Sequence, residues 1–221
     1  WMDNVEAVCC DMNSDYQEAF EERCTHIQCV FDYFHIKKNL NEKVISEIRK
    51  DEQARLKREG KDEEAKKLKK TKFILTSSRS TLEKKDSKNG TATLAKYESL
   101  LKENELLCVA DIVKEKLTYA YTLSCECTMA AEITDIIDIC NSTKNKHFVW
   151  FARLLENHFE GIIAHATFRV SSGKVEGMNN KIKTIRRQGY GYPDDDYFFL
   201  KIFDASRETY VRNPKSHKIR D

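Results

Sequence analysis

The chain has 221 residues, of which 40% are hydrophobic and 33% charged, and its formal net charge is +2. Such a chain is globular and long enough to bury a core, and its charge does not by itself demand a nucleic-acid partner. Two prolines and seven glycines are too few for a sandwich or barrel built from many tight turns, so we expect helices to dominate.

The first predicted elements form a parallel crossover unit. The apolar run VEAVCC at 5–10 predicts a strand that ends at Asp11, and IQCVF at 27–31 predicts a second strand that ends at Asp32. The intervening DYQEAFEERC has helical spacing. In parallel sheets, functional groups collect at the carboxyl ends of strands, where both aspartates lie.

The region 40–168 has a helical texture, with apolar residues recurring on one side of charged segments. Helices are predicted in the segments 40–59, 62–75, 94–104, 109–123, 129–140 and 148–163. The stretch 77–93, SSRSTLEKKDSKNGTAT, is predicted to be a loop. The aromatic stripe of 148–163 is interpreted as core rather than as a cofactor site.

The next predicted helix, from Val175 to Arg187, is basic except for Glu176 near its start. At about 100° per residue, a polar stripe carries Glu176, Asn180, Lys183 and Arg187. An apolar stripe, which can pack on a sheet, carries Val175, Met178, Ile182 and Ile185. After it, the acids at 194–196 are predicted to start a final helix, and the last residues form a polar tail.

Eight cysteines, without a signal peptide or an apolar run long enough to span a bilayer, favour a reducing cytosol and no membrane. Cys24 and Cys29 with His26 between them leave open a zinc site or small buried hydrophobes.

Asp11, Asp32 and Glu176 have the character of metal ligands. Carboxylates at a strand end and on a facing helix can hold divalent cations that activate a water and stabilise a leaving oxygen of a phosphodiester. Hard oxygen ligands and a phosphate substrate suit Mg²⁺ or Mn²⁺. The alternative is that the strand-end aspartates are helix caps.

Four motifs resemble a known family: VCCDM, VFDYFHIKKNLNE, SSGKVEGMNNKIKTIRRQGYGY and YFFLKIF. They are similar to the carboxyl-terminal part of the DDE transposases of bacterial insertion sequences, the ISL-three group. The resemblance implies an α/β ribonuclease H-like fold, N-terminally incomplete and predominantly helical, whose acids hold two Mg²⁺ (or Mn²⁺) ions. It also implies a cytoplasmic, nucleoid-associated DNA-binding enzyme that cuts the ends of the element and joins them to target DNA, as a homo-oligomer at full length.

The resemblance also implies a division of the chain. Residues 1–39 would be a partial core with the fourth and fifth strands, and 40–168 a large all-α insertion. Residues 169–207 would be the catalytic and closing helices, and 208–221 a polar tail.

Site residues follow from the same motifs. Asp11 matches the second catalytic aspartate and Glu176 the catalytic glutamate, and both would ligate metal. Asp32 and His35 match an Asp-x-x-His motif with a supporting role, and the alternative for His35 is a hydrogen-bonded core histidine. The DNA-binding residues would be Lys174, Asn179, Asn180, Lys181, Lys183, Arg186 and Arg187.

One departure from the family pattern matters: no acid before Asp11 convincingly replaces the first catalytic aspartate. The chain begins at Trp1 and reaches a strand almost at once, so we expect it to be the back part of a longer protein, inactive alone. Two alternatives stay open, a non-catalytic DNA-binding remnant that inhibits an intact transposase and a helical scaffold.

Overall fold

The computed structural model describes residues 2–12 and 14–207, except for the side chains of residues 14–16 and 21. The chain divides into two compact units at Ser171–Ser172. This division lies close to the predicted start of the catalytic segment at residue 169. The separation of the first unit into a partial core and an insertion stays a prediction, and the predicted tail, 208–221, lies outside the described residues.

The first unit opens with the expected crossover. A 3-10 turn at Met2–Asn4 precedes β1 (Ala7–Cys10), and α1 (Ser14–Arg23) leads to β2 (Gln28–Phe31). The strands are parallel, with Ala7 opposite Gln28 and Cys10 opposite Phe31. The described residues contain no other strand, so the small parallel sheet is confirmed and the ribonuclease H-like fold stays a prediction.

Helices make up most of the rest of the first unit. α2 (Tyr33–Asn39) continues through a π-helical stretch, Leu40–Ile45, into α3 (Ser46–Arg58). Within the described part of this unit, nine further helices follow: α4 (Asp62–Lys67), α5 (Lys72–Thr76), α6 (Arg79–Asn89), α7 (Thr93–Glu103), α8 (Glu105–Ala120), α9 (Glu126–Ser142), α10 (Lys146–Asn157), α11 (Phe159–Ile163) and α12 (His165–Phe168). Among these described residues, no helix is long and apolar enough to cross a membrane.

The core of the first unit confirms the predicted apolar stripes. Leu40, Val44 and Ile48 are fully buried, and so are Phe148 and Phe151 of the aromatic stripe. α11 packs on β2 at a glycine: a Cβ at Gly161 would lie 2.5 Å from the Phe31 ring. No disulfide joins the cysteines within the part of the chain that the structure describes.

The predicted loop at 77–93 is wrong, because its centre forms α6. Ser78 caps this helix by accepting a hydrogen bond from the Thr81 N–H at 3.3 Å, and Gly90 ends it with a left-handed φ of 63°. Only Leu82 of α6 is buried. The helix therefore lacks the apolar stripe by which helices are recognised, and its signal lies in its two caps.

The predicted helix at 62–75 is interrupted. α4 and α5 are separated at residues 68–71, where Lys70 has a φ of 60°. The hydroxyl of the buried Thr71 donates to the Leu68 carbonyl oxygen at 2.8 Å. This turn satisfies backbone groups that a continuous helix would otherwise have paired.

A buried polar cluster joins α7 and α8 to the segment before α6. The Lys114 ammonium donates to the Ser77 carbonyl oxygen at 3.0 Å and to the Tyr97 hydroxyl at 2.7 Å. It also lies 3.0 Å from Asp111 Oδ1, and Arg79 lies 2.6 Å from Asp111 Oδ2. The Tyr97 hydroxyl donates to Asp111 as well. Each buried polar group therefore has partners, as a low-dielectric interior requires.

The second unit consists of α13 (Gly173–Gln188) and α14 (Asp195–Arg207). The two helices predicted for this segment therefore both form, and the catalytic role of the first stays a prediction. Asp194 starts α14 as predicted, since its carboxylate accepts from the Tyr197 N–H at 3.1 Å. The two helices pack on each other, and the Tyr192 ring of the connecting loop stacks on Phe198 at 4.9 Å.

Candidate active site

The two strand-end aspartates lie at the same edge of the sheet. Because Cys10 and Phe31 are the last paired residues, Asp11 and Asp32 leave neighbouring parallel strands side by side. A sheet edge of this kind is where ligands bind in open α/β folds.

Asp11 presents an exposed, oriented carboxylate. Its side chain is 60% exposed, and its Oδ1 atom accepts from the Met12 N–H at 2.8 Å. The same oxygen lies 3.1 Å from Nδ1 of His35, whose side chain is 22% exposed. An Nδ1–H donor at that distance fixes the carboxylate while leaving it open to solvent.

Asp32 has a different environment although it ends the equivalent strand. It is 6% exposed and is the N-cap of α2, accepting from the Phe34 N–H at 3.2 Å. The Ser171 hydroxyl lies 3.4 Å from its other carboxylate oxygen. The cap fixes the first turn of α2, and His35 stands in that turn. The Asp-x-x-His spacing therefore places a cap and, three residues later, the side chain that contacts Asp11.

Tyr121 and His165 lie beneath this edge, and sequence reasoning missed both. The Tyr121 hydroxyl donates to the Phe31 carbonyl oxygen at 3.4 Å, and its ring lies 4.9 Å from Tyr33 and 4.8 Å from His165. Burial, reinforced by the charge of Asp32, raises the pKa of Tyr121 well above its usual range. Burial lowers the pKa of His165 although Asp32 opposes the shift, and its Nδ1 atom is buried without a hydrogen-bond partner.

No local signal could have found Tyr121 and His165. Tyr121 ends α8, ninety positions from the carbonyl that it contacts, and no spacing rule connects such distant positions. The Cys10 thiol at the same edge is half-buried, and this burial, together with Cys29, raises its pKa to about 12. The strand ends therefore carry two acids in different environments, the exposed Asp11 and the buried Asp32.

The remaining predicted site residues lie in the second unit. Glu176 stands in the first turn of α13 and is half-buried. Lys181 donates to the Ala205 carbonyl oxygen of α14, so its ammonium group is engaged within the unit. The other predicted DNA-binding side chains are all exposed: Lys174, Asn179, Asn180, Lys183, Arg186 and Arg187.

The Asp11 carboxylate has the chemistry of a ligand for a divalent cation. No group of three or more histidine, cysteine, aspartate or glutamate side chains within residues 2–12 and 14–207 is arranged to hold a metal ion. Asp11 offers an exposed hard oxygen donor, whereas Asp32 is committed to its cap. Of the two strand-end acids, Asp11 is therefore the one suited to ligation.

Comparison with known proteins identifies transposases as similar to this chain. A sequence model described as "Transposase", of the ISL-three (ISL3) DDE group, matches residues 1–202. The transposase for insertion sequence element IS1001 of Bordetella parapertussis is 25% identical over 199 residues, covering 90% of this chain and 47% of that protein. The chain thus spans about half the length of the curated relative that it matches. No solved structure matches it.

Proposed function

The chain belongs to the DDE transposase family of the ISL-three group, and we propose that it forms part of a catalytic domain that cleaves phosphodiesters and transfers strands at insertion-sequence ends. In this proposal Asp11 and Glu176 are catalytic carboxylates, and the substrate is DNA. The observation that carries it is the exposed Asp11 carboxylate at a strand end, held 3.1 Å from His35 Nδ1.

Asp11 and Glu176 would hold Mg²⁺ or Mn²⁺, which when bound supplies Lewis-acid activation of the attacking oxygen. The protein's own contribution is orientation. His35 donates to Asp11 and limits its rotation, and Asp32 caps the helix that carries His35. Preorganised carboxylates lose less entropy when they are engaged, which is the general advantage of an oriented site.

The polar stripe of α13 would contact the DNA backbone. Asn180, Lys183 and Arg187 follow Glu176 along one side of the helix and are exposed. Cations beyond the acid can bind phosphates on either side of the scissile bond, and such contacts fix the register of DNA without reading its sequence.

The proposal is tested with a complete transposase that contains this chain. The measured quantity is strand cleavage at labelled element ends. Asp11→Asn and Glu176→Gln should each reduce cleavage by about a thousandfold, because each removes a negatively charged oxygen ligand that would hold the divalent cation. Asp138→Asn, an exposed acid on α9, is the matched control and should leave cleavage unchanged. The 221-residue chain alone, with two of the three carboxylates, should cleave nothing.

Metal-dependent cleavage by the isolated chain that disappears in Glu176→Ala would contradict the proposed division of the carboxylates. Full cleavage by the Asp11→Asn transposase would contradict the role of Asp11.

A second candidate function is a non-catalytic DNA-binding protein that pairs with an intact transposase and inhibits it. Exposed cations on α13, together with the lack of a three-ligand cluster in the described residues, favour it. Inhibition of an intact transposase by added chain, unaffected by Glu176→Gln but lost in Lys183→Ala with Arg187→Ala, would support this function over catalysis.

A further inference from the structure

The turn that ends α13 has a tyrosine where a glycine is usual. The Gly191 N–H donates to the Arg186 carbonyl oxygen at 3.1 Å, and the Tyr190 N–H donates to that of Arg187 at 3.1 Å. This pair of bonds defines a Schellman motif, in which the penultimate residue is left-handed and most often glycine. Here that residue is Tyr190, with a φ of 51°.

Within residues 172–207, no packing of the Tyr190 side chain compensates for its left-handed backbone conformation. A side chain with a Cβ is strained in this region, and such strain persists where it serves a function. Tyr190 is fully exposed, whereas Tyr192 of the same loop stacks on Phe198 and covers Gly189, where a Cβ would lie 2.6 Å from the ring. Tyr192 therefore anchors the loop, and Tyr190 is presented to solvent.

Three cations surround the exposed ring. Lys183, Arg186 and Arg187 line, with Tyr190 and Gly191, a shallow depression of about 380 Å³. Within the part of the chain that the structure describes, none of the three cations belongs to a salt bridge. An aromatic face amid unneutralised cations is the combination with which proteins bind single-stranded nucleic acid: bases stack and phosphates pair with the cations.

We propose that Tyr190 is a stacking platform for an unpaired DNA base, whose flanking phosphates bind Lys183, Arg186 and Arg187. The inference rests on the proposed function and adds a substrate feature to it. Bases inside a duplex are covered on both faces by their neighbours, so a single protruding ring stacks most readily on a base that has left the duplex. The site would therefore distinguish unpaired nucleotides next to a cleaved end from continuous duplex.

The test compares two probes by fluorescence anisotropy on the full 221-residue chain. One is a duplex with a short thymidine overhang. The other is the same duplex with abasic nucleotides in the overhang, which keep the phosphates and lack the bases. The unchanged chain should bind the thymidine overhang about tenfold more tightly. Tyr190→Gly should remove this preference, and Tyr190→Phe should keep it.

Stability separates this role from a structural one. Tyr190→Gly should melt at the same or a higher temperature, because glycine adopts the left-handed conformation without strain. Arg186→Ala should weaken binding to both probes alike. A preference that survives in Tyr190→Gly, or equal binding of both probes by the unchanged chain, would overturn this inference alone. Failure to bind any DNA would overturn the proposed function with it.

Discussion

The two units of the chain differ in what they bury. Phe31, Tyr97 and Phe148 of the first unit are almost completely buried. In α13 and α14 no described side chain is buried, and Phe199, Leu200 and Phe203 are more than half exposed. Because apolar burial is the dominant stabilising contribution, changes in the first unit should act on folding. Changes in the second should act on what the surface binds.

Charge follows the same division. In the first unit, Lys50, Arg55 and Lys66 pair with acids three residues earlier on their own helices. On α13 the exposed Lys183, Arg186 and Arg187 have no salt-bridge partner among the described residues. Paired charges solubilise a helix, whereas unpaired charges of one sign attract a polyanion. Under the proposed function, DNA would therefore bind at α13.

The largest effect on stability is expected at the buried polar cluster. Asp111→Ala leaves the Lys114 charge buried without its carboxylate, which should lower the free energy of unfolding by about 3–5 kcal/mol. Urea denaturation measures this, with the exposed Asp138→Ala as control, expected to change it by less than about 0.5 kcal/mol. A loss at Asp111 no larger than the control's would show that the first unit does not depend on this cluster.

A smaller effect should distinguish the two strand-end acids. Asp32→Ala removes the N-cap of α2 and should cost about 1 kcal/mol of unfolding free energy. Asp11→Asn removes an exposed charge and should leave stability unchanged, since a carboxamide oxygen still accepts from His35. Equal losses from both substitutions in thermal melts would mean that Asp11 is a structural residue as well.

The acid sensitivity of the first unit should depend partly on Asp86. Burial of this carboxylate opposes ionisation, but hydrogen bonds from the Leu94 N–H and from Thr91 and Thr93 outweigh it and lower the pKa of Asp86. The stabilisation is therefore present above the ordinary pKa of 3.8 and is lost as the pH falls through the lower folded value. Asp86→Asn should melt below the unchanged chain at pH 6, and the difference should shrink towards pH 2. A constant difference across this range would contradict the assignment.

The sequence predicts elements whose signal is local. Short apolar runs ending at Asp11 and Asp32 identify the two strands, and the Asp194 cap identifies the start of α14. α6 is missed because its polar sequence lacks an apolar stripe, and the Ser78 and Gly90 caps are then interpreted as loop residues. The break at Lys70 is missed because no glycine or proline stands there. The local sequence pattern thus predicts an element correctly where its apolar residues and its capping residues both indicate the same element.

The candidate site is only partly predictable for the same reason. The strand ends indicate Asp11 and Asp32, and the family resemblance indicates His35, but the division of roles between the two acids depends on which one caps α2. Tyr121 and His165 reach the strand ends only through the tertiary packing of α8 and α12. The exposed Tyr190 is recognised only once its left-handed backbone is known, because the flanking glycines suggest an unremarkable turn.

The most direct test of the comparison between the units is DNA affinity measured against salt concentration, with the melting temperature of each variant. Lys183→Ala with Arg187→Ala should weaken DNA binding, reduce the slope of log affinity against log salt by about two, and leave melting unchanged. Lys84→Ala with Lys85→Ala, an equal charge change on exposed residues of α6, should leave both quantities nearly unchanged. Equal losses of affinity in the two double variants would contradict the assignment of DNA binding to the second unit.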